Sequence, residues 1–149
     1  MKRLASLEEG FGISAYHVAM SVPNFYRLEH STNVERVALA LGHKGVEVES
    51  VFVPYDDRAA VRKVSGQDLV PVIVDDGKVT IDSMEIVRYL EDRFADRPPL
   101  YPAEPARRAD CLLFIDWFNR VWKRPPNELE GELSKPEGKR DMARVERLG

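Results

Sequence analysis

The stretch 65–83, SGQDLVPVIVDDGKVTIDS, constrains the fold more than any other part of the chain. Val70-Pro71-Val72-Ile73-Val74 is apolar and β-branched, which suits a buried strand. Asp76-Gly77 is a two-residue hairpin signal, and Lys78-Val79-Thr80-Ile81 behind it alternates. Asp82, with Glu85 three residues on, starts a helix in capping-box style, and Ile86, Val87, Leu90 and Phe94 follow at helical spacing. The segment therefore predicts strand, tight turn, strand and helix.

Pro71 lacks an N–H, so a strand tolerates it only at its start or in a special turn. A cis Val70–Pro71 bond is one solution, and it would turn the Val70 N–H and C=O outward to pair with an extended ligand as another strand would. The helix start after Asp82 offers unpaired N–H groups and a positive dipole end, which suit a carboxylate. Together these features fit a short acidic peptide.

VPVIVDDGKVTIDSMEIVRYLEDRF resembles the N-terminal, thioredoxin-like domain of the glutathione S-transferases, and the resemblance runs from about residue 25 to 120. It implies an α/β fold, and it assigns Val70 and Pro71 to the cysteinyl backbone of glutathione and Asp82 and Ser83 to its γ-glutamyl end. Ser31 resembles the serine of the serine-type members, whose hydroxyl donates to the glutathione thiolate. Such a bond is worth roughly 1.5–3 kcal/mol, enough to lower a thiol pKa by about one to two units. The alternative for Ser31 is a plain helix cap, with Thr32 able to take that role instead. Tyr26 is the internal rival, because other classes use a first-strand tyrosine. Leu69 departs from the polar residue that many serine-type members carry there, leaving Gln67 or Arg36 to meet the glycyl carboxylate.

Upstream, residues 25–30 alternate as a strand, and Ser31-Thr32-Asn33 with Glu35 begins a helix that ends near Gly42 or Gly45. Residues 46–53 have the period of a strand, and 57–64 predict a short helix closed by Ser65-Gly66. The order is β-α-β-α-β-β-α, the thioredoxin-like plan, with residues 23–97 as the glutathione-binding domain. Residues 1–22 form an N-terminal extension, in which 1–19 are expected to be disordered or a misassigned start without a signal-peptide core. Residues 98–105, rich in proline, read as a linker.

Residues 106–149 read as a partial helical C-terminal domain. A helix is predicted over 106–123, apolar on most sides, with Trp117, Phe118 and Trp122 among its aromatics. Such a helix needs cover on more than one face, so a homodimer or a truncated chain is expected. Pro125 and Pro126 are expected to break it, 127–139 to be a loop, and 140–148 to form one short helix.

Composition closes off other classes. A net charge of -3 offers nothing to nucleic acid, and no apolar run reaches membrane-spanning length. Cys111 is the only cysteine, which excludes an internal disulfide and fits a reducing cytoplasm. With no thiol at Ser31 or Val34, disulfide exchange at that helix start is chemically closed. His17, His30 and His43 lack metal-ligand spacing, so no metal is expected. The resemblance thus implies a cytoplasmic glutathione transferase that uses glutathione as co-substrate and conjugates it to a small electrophile. The rival reading is a non-catalytic binding or assembly module on the same fold.

Overall fold

The computed structural model describes residues 21–149. The expectation for residues 1–19, and His17 with it, lies outside the described residues.

The elements run β1 (Asn24–Arg27), α1 (Thr32–Lys44), β2 (Glu49–Phe52), α2 (Ala59–Ser65), β3 (Val72–Asp75), β4 (Lys78–Ile81) and α3 (Ser83–Arg93). They build one sheet in the order β2-β1-β3-β4, with β1 parallel to β2 and antiparallel to β3, and β3 antiparallel to β4. This is the predicted thioredoxin-like arrangement. Asp76 and Gly77 both take positive φ, 48° and 79°, the backbone that a two-residue hairpin needs to match strand twist.

Strand alternation sorts the core into two layers. Phe25 pairs with Ile73 and faces Val34, Val37 and Leu41 of α1 and Ile86 and Leu90 of α3. Tyr26 pairs with Val72 on the opposite face, where Val53, just after β2, and Val61 of α2 close over it. Side chains such as Phe25, Ile73, Ile86 and Leu90 are essentially fully buried, each worth about 1.5–3 kcal/mol relative to exposure.

The short elements differ from expectation for local reasons. β2 covers four residues rather than the eight of 46–53, because β1 offers only Asn24–Arg27 to pair with it. Val46 and Val48 instead pack on the core before pairing begins. α2 starts at Ala59 because the Asp57 carboxylate accepts the Ala59 N–H at 2.8 Å, holding a turn ahead of the helix.

The C-terminal region corrects the sequence reading. The apolar helix α4 (Pro105–Trp117) gives way to a π-helical turn at Phe118–Trp122, closed by the Lys123 N–H on the Phe118 carbonyl at 2.9 Å. Residues 127–139 are not a loop, since most of them belong to α5 (Arg124–Leu133). Pro125 and Pro126 fall in the first turn of α5, where a missing N–H loses no helical bond, so they start a helix instead of ending one. After a 3-10 turn at Glu137–Lys139 comes α6 (Met142–Leu148), tied to α5 by Arg144 on Glu128 at 3.0 Å and on Glu132 at 3.6 Å. No helix among the described residues is long and apolar enough to cross a membrane.

Candidate functional site

Two adjoining cavities lie where α1 and α3 begin. One, of about 290 Å³, is lined by Ser31, Asn33, Leu69, Val70 and Lys123 among others. The other, of about 360 Å³, is lined by Asn33, Leu69, Val70, Pro71, Asp82 and Ser83. Asn33, Leu69 and Val70 belong to both, so the two form one groove. All five expected site residues, Ser31, Val70, Pro71, Asp82 and Ser83, border it. Tyr26 does not line either cavity; it packs against the α2 side of the sheet.

Each residue is placed by its element. Ser31 is the N-cap of α1, with extended backbone and its oxygen accepting the Val34 N–H at a loose 3.4 Å. This puts the cap on Ser31 rather than Thr32, and it leaves the hydroxyl proton free to donate. The Val70–Pro71 bond is cis, and the β3 ladder begins only at Val72. Among the described residues, neither the N–H nor the C=O of Val70 bonds to another backbone group outside the ladders.

Asp82 caps α3 through one oxygen. Its Oδ1 accepts the Met84 N–H at 2.8 Å and the Glu85 N–H at 3.3 Å, and the Asp82 backbone sits at φ 67°. Glu85 does not close a capping box, because it pairs with Arg88 on the outer face. Oδ2 of Asp82 therefore keeps its acceptor capacity, and the Ser83 N–H is the first-turn donor left without a cap.

The Ser83 side chain is a different matter. It is buried, accepts from Arg36 Nη1 at 3.0 Å and donates to Asn33 Oδ1 at 3.4 Å. Arg36 also donates to Asn119 Oδ1 at 2.7 Å, and Lys123 Nζ donates to Asn33 Oδ1 at 2.7 Å. Asn119 and Lys123 stand four residues apart in and just after the π-helical turn, so the wider turn aims both at α1. Burial draws the Arg36 pKa down from its ordinary value against the raising effect of Asp82. Burial and then the charge of Arg36 likewise draw Lys123 down.

Sequence reasoning missed Asn33, Asn119 and Lys123, and it weighed Arg36 only for a glycyl carboxylate. Arg36 is instead spent on Ser83 and Asn119. Gln67 is held by the backbone of Leu69, its side chain donating to the Leu69 carbonyl at 2.8 Å and accepting the Leu69 N–H. No signal in the sequence distinguishes Asn119 and Lys123, because Asp116 and Arg120 are polar residues of the same aromatic stretch and pair with each other instead. Among the described residues no group of three or more His, Cys, Asp and Glu side chains is placed to hold a metal.

Known proteins share this architecture. A family model described as the glutathione S-transferase N-terminal domain matches residues 25–98. Glutathione S-transferase GstB of Escherichia coli strain K12 is 30% identical over 131 residues, covering 78% of this chain and 59% of that protein. Glutathione S-transferase L1 of Arabidopsis thaliana is 35% identical over 89 residues, covering 55% of this chain and 37% of that protein. The crystal structure of a theta class glutathione S-transferase from Xanthomonas axonopodis pv. citri, with glutathione bound, matches with a TM-score of 0.68 at 30% identity. That match covers 87% of this chain and 64% of the other. The chain spans about half the length of the curated relatives it matches, 44% and 49% for two from Arabidopsis thaliana. By its thioredoxin-like fold, its family match and these relatives, the chain belongs to the glutathione S-transferase family.

Proposed function

We propose that the chain binds glutathione in the groove between α1 and α3 and stabilises its thiolate for conjugation to an electrophile. The observation that carries this reading is the continuity of the two cavities, with Ser31 at one end, Val70 in the middle and Asp82 and Ser83 at the other. The tripeptide backbone takes the open N–H and C=O of Val70. Its γ-glutamyl ammonium meets Oδ2 of Asp82, and its α-carboxylate meets the Ser83 N–H at the positive end of α3. The Ser83 hydroxyl serves indirectly, by orienting Arg36 and Asn33.

At the sulfur, the Ser31 hydroxyl accepts the cap bond and donates its own proton, so capping and thiolate stabilisation coexist. Ser31→Ala should raise the thiol pKa of bound glutathione by about one to two units, read from thiolate absorbance against pH. Conjugation at neutral pH should fall with it while retention on glutathione resin persists. An unchanged thiol pKa in Ser31→Ala would remove the catalytic part of the proposal.

The small electrophile and a second copy of the chain complete the partners. Phe114, Trp117 and Trp122 lie exposed along the α4 region, an apolar surface that a homodimer covers. A monomer in size-exclusion chromatography would argue against that partner. The unpaired Cys111 fits a reducing cytoplasm.

One observation favours a non-catalytic binding or assembly module: Leu69, 76% exposed, offers both cavities an apolar side chain where a polar contact would help hold a tripeptide. Glutathione retention without turnover of any electrophile would select that reading.

A further inference from the structure

The cavity at Ser31 is where a second substrate has to meet the thiolate, so any selectivity assigned to it rests on the glutathione reading. Its wall carries charge. Lys123 projects from the junction of the π-helical turn and α5, and Arg58 stands just ahead of α2. Lys123 Nζ has one hydrogen bond, to the neutral Asn33, and no ion-pair partner among the described residues. Arg58 stacks over the Tyr55 ring at 5.2 Å and likewise has no ion pair among them.

Two carboxylates share the wall. Asp68 is held by Arg62 through two bonds of 2.8 and 2.9 Å, so its charge is already answered. Glu130 on α5 has no ion pair among the described residues and opposes an incoming anion. Lys123 is partly buried, and burial, then the charge of Arg36, disfavour its charged form by more than the charge of Asp82 favours it. An anion placed beside it restores what desolvation removed, as an exposed lysine would not require.

We propose that Lys123 makes this cavity selective for electrophiles that carry an anionic group, a carboxylate, alongside the reacting carbon. In the step itself the thiol proton has already passed to solvent. The sulfur lone pair then forms the S–C bond while the C–X bond breaks, and a halide leaves with the bonding pair. Lys123 touches only the carboxylate and takes no proton.

The test uses the full chain and calorimetry with three probes: glutathione, S-(4-carboxybenzyl)glutathione and the methyl ester of that conjugate. Wild type should bind the acid about fivefold more tightly than the ester, the ratio a part-exposed charge pair gives. The preference should vanish in Lys123→Gln, return in Lys123→Arg and grow in Glu130→Gln, with glutathione affinity little changed throughout. Initial rates with 4-(chloromethyl)benzoate and its methyl ester should follow the same order in KM.

Equal binding of acid and ester by wild type overturns the inference, as does a preference that survives Lys123→Gln. It is also overturned if Lys123→Gln weakens glutathione as much as the acid, which would assign Lys123 to the tripeptide. If none of the three probes binds, the glutathione reading itself fails and this inference falls with it.

Discussion

The Arg36 guanidinium donates to the Ser83 hydroxyl at 3.0 Å, joining the second turn of α1 to the first residue of α3 across 47 positions of sequence. The serine expected to grip the ligand therefore grips an arginine. Ser83→Ala should cost about 1–2 kcal/mol of stability, because a half-buried guanidinium loses its acceptor. Glutathione affinity, carried by the Ser83 N–H, should fall by less than about threefold. Urea unfolding and calorimetry check the two halves separately, and a thirtyfold affinity loss would mean that the hydroxyl is itself the ligand contact.

Asp82 combines a cap with a positive φ of 67°. Asp82→Ala loses the bonds to the Met84 and Glu85 N–H groups and keeps an unfavourable backbone, so about 1–2 kcal/mol should be lost. Asp82→Gly accepts that backbone freely and should be the more stable of the two by about 1 kcal/mol. Both should lose glutathione affinity alike, about tenfold, because both remove the partner of the ammonium. Thermal unfolding ranks the stabilities; unequal ligand losses would contradict the role given to Oδ2.

Beneath α3, Lys44 is almost wholly buried, and its ammonium lies 2.8 Å from Glu91 and 3.1 Å from the Phe94 carbonyl. Burial pushes the Glu91 carboxyl up, but the Lys44 bond and the Leu100 N–H outweigh it and hold the group below the usual glutamate range. The folded pKa is thus below the unfolded one. The stabilisation is present above the unfolded value, about 4.3, and is lost as pH falls through the folded value. Glu91→Gln should cost about 2–3 kcal/mol at neutral pH by stranding the Lys44 charge, and it should flatten stability against pH below about 4.3. Urea midpoints from neutral pH to pH 3 decide it.

On the other side of α3, the Tyr89 hydroxyl donates to the buried Asp75 at 2.6 Å. Burial, then that bond, pushes the phenol up to about 12. Because the folded value is the higher, the contribution is complete below the free phenol value of about 10 and disappears as pH rises toward the folded one. Absorbance titration should show one tyrosine ionising near 12, a phase absent in Tyr89→Phe. That variant should also lose about 1–2 kcal/mol by leaving Asp75 to Arg93 alone at 3.5 Å.

The hairpin, the cap at Asp82 and the helix start at Ser31-Thr32-Asn33 were legible, because each depends on residues within a turn of one another. Element ends were less so. β2 stops where β1 stops, which no feature within 46–53 reveals. α5 was misread because Pro125-Pro126 signals both a break and a beginning, and the choice rests on what precedes it. Here the preceding π-helical turn delivers the chain already in helical conformation.

The sequence by itself determined the order of strands and helices, the proline and the turn that shape β3, and the identity of the residues at each helix mouth, since these follow from backbone preference and local periodicity. Only the tertiary structure decided which polar groups answer one another. Asn33 and Lys123, 90 positions apart, meet because α1 and the π-helical turn are packed side by side. That packing, not either residue's own chemistry, leaves a lysine at the Ser31 cavity without an acid of its own among the described residues.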